Sequence, residues 1–254
     1  MTARRALASV LDSLALLTVL PVGQRPLVTP AGITALAFPL AGGIIGGLIW
    51  GWDWLVGQAL PDIPRSALTV VAWAIITGGL HLDGLADSVD GLLTTGERTR
   101  RLEAMADPRI GAFGAAAVTL ILLLKWAALV EMDGRLRTGA LLLGPCLARG
   151  AVLPVMALFP LARQAGLGAS VAHRLELLPA LAAGAAVSAV PLAIFSPMGP
   201  VLAGGAIVAS GGIALLALRR LGGVTGDVLG ACVEMAETTV LLLCATSVER
   251  GWLA

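Results

Sequence analysis

An all-α polytopic membrane bundle of about seven transmembrane helices is the fold class this sequence predicts, and three observations predict it. Hydrophobic residues make up 57% of the 254-residue chain and charged residues only 13%, too few charges to cover a water-soluble globule of this size. The mean hydropathy is +0.92, which excludes a polar disordered chain. Apolar stretches near the length of a bilayer crossing, about 20 residues, recur from end to end. The net charge of +1 leaves no general basic surface, so the expected partner is the lipid bilayer and not a nucleic acid.

Residues 6 to 20 read as an interfacial or partly inserted helix. Arg4 and Arg5 precede its apolar run and Asp12 interrupts it, so a cleaved secretory signal is not expected. Spans are expected near residues 33–57, 67–82, 111–130, 138–160, 177–196, 200–218 and 238–254. The 32 glycines and 14 prolines would break helices in water but suit close helix packing in lipid, as in AGGIIGGLIWG at 41–51. No long linker or internal repeat appears, so residues 1–254 read as a single integral membrane domain. Cys146, Cys232 and Cys244 have no metal-ligand spacing and read as buried thiols.

Cationic loops are retained on the cytoplasmic side, and this sets the orientation. With the N-terminus inside, Arg4, Arg5 and Arg25 become cytoplasmic. So do Arg98, Arg100, Arg101 and Arg109, then Arg163 and Arg174, then Arg219 and Arg220. Only Arg65, Arg135, Arg137 and Arg250 fall outside, while Lys125 and Arg149 lie within spans. The polar segments 83–110, 161–176 and 219–237 then share the cytoplasmic face of the cell membrane, and chemistry is expected there.

The densest signal is GGLHLDGLADSVDG at 78–91. On a helix, Asp83, Asp87 and Asp90 stand at i, i+4 and i+7 on one face, with Leu82, Leu85, Ala86 and Val89 on the other. Three carboxylates about a turn apart repel one another, and a hard divalent cation removes the conflict. Oxygen-only ligands without the Ca²⁺-loop spacing favour Mg²⁺ carrying a substrate phosphate. An acidic helix end without a ligand is the alternative. His81, two residues upstream, is a candidate general base or a donor to a carboxylate.

A second cluster, MADPRIGAFG at 105–114, offers Asp107, the planar fork of Arg109, and Gly111 and Gly114 where a backbone can approach a ligand. A salt-bridged loop accounts for Asp107 and Arg109 as well. The third, GGVTGDVLGACVEMAE at 222–237, sets Thr225, Gly226 and Asp227 in a Gly-rich turn, the materials of a phosphate-contacting loop. Asp227, Glu234 and Glu237 share one broad helical face and suit a second metal or a nucleoside. A turn that caps a helix at Asp227 leaves the last two acids unexplained. Arg149 is an intramembrane cation that needs a carboxylate or bound phosphate as partner. Lys125 and Asp53 are expected to snorkel toward an interface.

Carboxylate faces, a histidine and arginines at the cytoplasmic ends of membrane helices suggest Mg²⁺-assisted chemistry on a pyrophosphate. These same residues resemble a known family. HLDGLADSVDG, DPRIGAFG, the intramembrane Arg149, AGLG at 165–168 and GGVTGDVLGACVEMAE, with TVLPVG and FPLAGGIIG near the start, are similar to the cobalamin synthase family, the membrane-bound adenosylcobinamide-GDP ribazoletransferases. The resemblance spans nearly the whole chain.

It implies a late step of cobalamin assembly, in which α-ribazole or its 5′-phosphate is joined to adenosylcobinamide-GDP and GMP is released. Asp83, Asp87 and Asp90 would then hold Mg²⁺ and His81 would be the base. Arg109 and Arg149 would bind phosphate oxygens beside Asp107. Thr225, Gly226, Asp227, Glu234 and Glu237 would contact the nucleoside or a second Mg²⁺. Homo-oligomerisation stays open. A membrane prenyltransferase and a CDP-alcohol phosphotransferase share parts of this chemistry, although the latter needs Ala-Arg where Ala86 is followed by Asp87. A transporter would place carboxylates near the midplane, whereas here they are expected at span ends.

Overall fold

The computed structural model describes residues 3–22, 29–132, 134–163, 175–194 and 198–249. Arg25, the AGLG motif at 165–168, Arg174, Arg250 and the end of the last expected span lie outside the described residues. Among the described residues there are eleven helices and no strand; one parallel bridge pairs Leu161 with Val224. The helices are α1 (Ala3–Leu17), α2 (Ala31–Leu36), α3 (Phe38–Gly57), α4 (Asp62–Ile76), α5 (Leu80–Leu93) and α6 (Arg98–Ala104). They continue with α7 (Ala112–Val130), α8 (Gly134–Leu158), α9 (Leu177–Ile194), α10 (Gly199–Leu221) and α11 (Gly226–Glu249).

Five helices, α3, α7, α8, α10 and α11 through Ser247, are long and apolar enough to cross a membrane. The fold class is therefore as expected; among the described residues the helices that meet these limits number five, or six if α4 and α5 act as one broken crossing, where about seven spans were expected. The expected span at 67–82 breaks because the chain turns by 87° between α4 and α5, through Gly78 and Gly79 at φ +61° and +69°. Non-glycine residues rarely adopt that left-handed conformation. At the other end, the expected span at 238–254 begins earlier, at Gly226, so much of the segment expected as a cytoplasmic loop is membrane helix.

Helices α8 and α11 form the centre, each mostly buried, and α3 packs on α8 by direct backbone approach. A Cβ at Gly46 would stand 2.6 Å from the Leu142 carbonyl oxygen, and one at Gly42 would collide with that of Pro145. Small residues thus let two membrane helices touch, as the glycine pattern predicts. Cys232 and Cys244 are buried, Cys146 is partly so, and all three are free thiols.

Candidate active site

The crossing of α5 with α11 builds the site. Gly84 and Gly230 allow it: a Cβ at Gly84 would lie 2.8 Å from the Asp227 carbonyl oxygen, and one at Gly230 3.4 Å from the Cα atoms of both Gly84 and His81. Any larger residue would push α5 away and separate the first acidic motif from Asp227. Beside the crossing lies a cavity of about 310 Å³ whose polar lining is His81, Asp83, Arg149, Arg163 and Asp227. Leu16 and Leu17 of α1, Phe38 of α3, Val152 and Met156 of α8, and Leu229 and Val233 of α11 supply its apolar walls.

The three α5 acids share a face as expected but have different surroundings. Asp90 accepts the backbone N–H groups of Gly111 at 2.7 Å and Gly114 at 2.9 Å, so it caps the start of α7. Two otherwise orphaned donors and the positive end of the helix dipole are satisfied together. This also explains the two glycines, since a Cβ on either would strike the Asp90 carboxylate. The ligand their backbone approaches is Asp90 itself.

The carboxylates of Asp83 and Asp87, in contrast, make no hydrogen bond or ion pair among the described residues. Helix α5 lies outside the five spans, and burial, then the charges of Asp83, Asp227 and Asp90, push the Asp87 carboxyl up to about 6. Two unpartnered carboxylates, one of them repelled from three sides, suit a hard divalent cation. Among the described residues, no three His, Cys, Asp or Glu side chains converge tightly enough to complete such a site alone. Phosphate oxygens or water would have to finish the coordination.

Asp107 and Arg109 lie apart from the cavity. Arg109 closes onto Asp107 through Nε at 2.9 Å and Nη2 at 2.7 Å, with its side chain 87% exposed. The hydrogen bonds from Arg109 hold the Asp107 carboxyl down at about 2. The salt-bridged loop is what the structure displays here.

In the Gly-rich turn, Thr225 Oγ1 accepts the N–H of Val228 at 3.2 Å and so caps α11. Backbone bonds from Val224 N to the Pro160 oxygen and from Ala162 N to the Val224 oxygen, both 2.8 Å, tie the turn to the end of α8. Gly223 is required because a Cβ there would meet Pro160. Arg163 Nη2 bonds Asp227 Oδ2 at 2.8 Å across that junction. In sequence Arg163 is one of several cytoplasmic-loop cations; the signal that bears on it is its place just after the end of the span at 138–160, on the same side as Asp227.

Glu234 and Glu237 do not join Asp227. Both are buried within α11, where Lys125 of α7 bridges them at 2.7 Å each, and Arg149 Nη1 reaches Glu237 Oε1 at 2.7 Å. Lys125 also lies 4.5 Å from the centre of the Trp73 ring. The expectation that acids occur only at span ends is corrected here: the helix extends past them, and partners on α7 and α8 compensate their burial. The snorkelling expected of Lys125 and Asp53 is corrected too. Asp53 is buried and binds Arg137 Nη2 at 2.6 Å and Thr69 Oγ1 at 2.7 Å, with Arg65 completing its shell. Arg149 has the carboxylate partner expected of it.

The family model described as cobalamin-5-phosphate synthase (CobS) matches residues 9–245. An adenosylcobinamide-GDP ribazoletransferase of Roseiflexus sp. (strain RS-1) is 36% identical over 96% of this chain and 91% of its own length. Proteins of the same name from Pseudomonas fluorescens and Pseudomonas paraeruginosa are 39% and 38% identical, over 88% and 95% of this chain and 91% and 99% of theirs. No solved structure matches.

Proposed function

The chain belongs to the cobalamin-5-phosphate synthase family, and from that premise we propose that it is a membrane-embedded adenosylcobinamide-GDP ribazoletransferase. It moves the cobinamide phosphate of adenosylcobinamide-GDP onto a hydroxyl of α-ribazole or α-ribazole 5′-phosphate. GMP departs, and adenosylcobalamin or its 5′-phosphate forms. The observation that carries this reading is the cavity at the α5–α11 crossing, which gathers the unpartnered Asp83, Asp227 with its partner Arg163, a buried histidine and Arg149, with the unpartnered Asp87 one helical turn along α5 from Asp83.

Asp83 and Asp87 would hold Mg²⁺, which would neutralise charge on the pyrophosphate. Asp90 keeps α7 docked against α5 and so fixes the direction in which the two free acids point. His81 is buried with Nδ1 unpartnered, beside the cation Arg149, surroundings that disfavour a second positive charge. Its neutral ring takes the proton of the attacking ribose hydroxyl. The hydroxyl oxygen forms its bond to the cobinamide-side phosphorus as the bond to the GMP oxygen breaks. Arg163 and Asp227 sit where the polar donor arrives, and the distribution of cationic loops turns that mouth to the cytoplasm. Asp107 and Arg109 stabilise the neighbouring loop.

The test is to reconstitute the purified chain in liposomes with adenosylcobinamide-GDP, α-ribazole 5′-phosphate and Mg²⁺. GMP and a corrinoid carrying the lower nucleotide should form in equal amounts. Formation of neither would overturn the reading.

A further inference from the structure

Arg149 is unevenly used. Its Nη1 donates to Glu237 at 2.7 Å and to the Pro145 carbonyl oxygen at 3.0 Å, while Nε and Nη2 are buried without a hydrogen-bond partner. The residue is 1% exposed and lines the cavity. Nε and Nη2 form the edge of a guanidinium that grips two oxygens of one phosphate or carboxylate at once. Leaving such donors buried and unmet is costly, and a planar cationic edge suits an anionic ligand. A second unmet group, His81 Nδ1, borders the same cavity.

The remaining walls narrow the ligand's chemistry. Leu16, Phe38, Val152, Met156, Leu229 and Val233 offer no side-chain hydrogen bond, so the part of the ligand against them is apolar and recognised by shape, while Asp83, Asp227 and Arg163 complete the lining. At about 310 Å³ the cavity is at the small end of ligand sites, far too small for a corrin macrocycle with its nucleotide arm. A compact molecule with one apolar ring system and one phosphate fits these limits.

Resting on the function proposed above, we propose that this cavity is the acceptor pocket. The aromatic base of α-ribazole 5′-phosphate lies on the apolar walls, and Arg149 Nε and Nη2 grip its 5′-phosphate, which is not consumed in the reaction. The corrinoid donor binds at the edge of the cavity, against Asp83 and Asp87, with its bulk outside. Glu237 is a positioning residue: by occupying Nη1, with Lys125 holding Glu237 in turn, it leaves Nε and Nη2 for the ligand.

The test compares α-ribazole with α-ribazole 5′-phosphate on the full chain in nanodiscs. Arg149→Lys keeps the charge that pairs with Glu237 but lacks the two-pronged edge. The wild type should bind the phosphorylated acceptor, without donor present, about tenfold to hundredfold more tightly than α-ribazole. In Arg149→Lys that preference should shrink to within about threefold, with KM for adenosylcobinamide-GDP within about twofold of wild type, because only the acceptor meets this edge. Glu237→Gln should reduce the same preference in part. A preference that survives in Arg149→Lys, or a rise in donor KM in its place, overturns the proposal. So does a wild type that binds both acceptors equally. Failure to release GMP from either acceptor would refute the transferase reading, while the donor-free binding still judges the pocket.

Discussion

The Asp53 cluster, at the end of the bundle opposite the cavity, and the Arg149 network, in the interior below it, use similar residues and end in different states. Around Asp53, Arg137 gives Nε and Nη2 to the carboxylate and Nη1 to Ser66 Oγ and the Leu129 carbonyl oxygen, while Arg65 and Thr69 fill what remains. Every donor is met, and the cluster fastens the end of α3 to the starts of α4 and α8. Around Arg149, a residue that lines the cavity, the carboxylate partner meets one nitrogen and leaves Nε and Nη2 without a hydrogen-bond partner. The contrast separates buried charge that holds helices together from buried charge held ready for a ligand.

The widest effect on stability is expected where satisfaction is complete. Asp53→Asn leaves two arginines without their anion, and breaking a buried ion pair typically costs about 3–5 kcal/mol. Thermal unfolding in detergent should show that loss, with turnover per folded molecule unchanged. A mild stability change there would break the comparison.

Asp90→Ala comes next, because it strands the N–H groups of Gly111 and Gly114 at a cost of about 1–3 kcal/mol. Hydrogen exchange should localise the damage to the first turn of α7, and activity should fall through loosened α5 geometry. Protection equal to wild type at Gly114 would remove Asp90 from its anchoring role.

A third expectation concerns pH. Without a cation the Asp87 carboxyl is charged above about 6 and protonated below it, so proton and Mg²⁺ compete. As pH falls from about 6, the Mg²⁺ concentration giving half-maximal rate should rise about tenfold per unit. A constant requirement between pH 7 and 5 would place the metal elsewhere. The smallest effect belongs to the exposed pair: Arg109→Gln should leave the rate within about twofold of wild type, as surface substitutions away from a site usually do. A larger loss of turnover would bring the loop into the site.

The legible part of the molecule was what local pattern encodes. Periodicity placed Asp83, Asp87 and Asp90 on one face, and the cationic loops brought α5, Arg163 and the Gly-rich turn to one end. Pairing across the bundle was not legible, because it depends on which helices touch. That Asp90 caps α7, or that Glu237 answers Arg149 from 88 residues away, follows from the glycine contacts that set helix spacing. The end of the second expected span was misread for a related reason. No Asp, Glu, Lys or Arg interrupts Trp73 to Leu82, so the stretch reads as one span, and the left-handed backbone at Gly78 and Gly79 turns the chain within it.

The measurement that tests the central claim most directly is GMP release by Asp87→Asn in liposomes at saturating Mg²⁺, with thermal unfolding in parallel. Asn keeps the size of the side chain and removes a repelled charge, so folding should hold or improve. Loss of a carboxylate at the metal should lower the rate by about a hundredfold or more. A folded Asp87→Asn protein that turns over within about threefold of wild type, too small a loss for such a contact, would contradict the account.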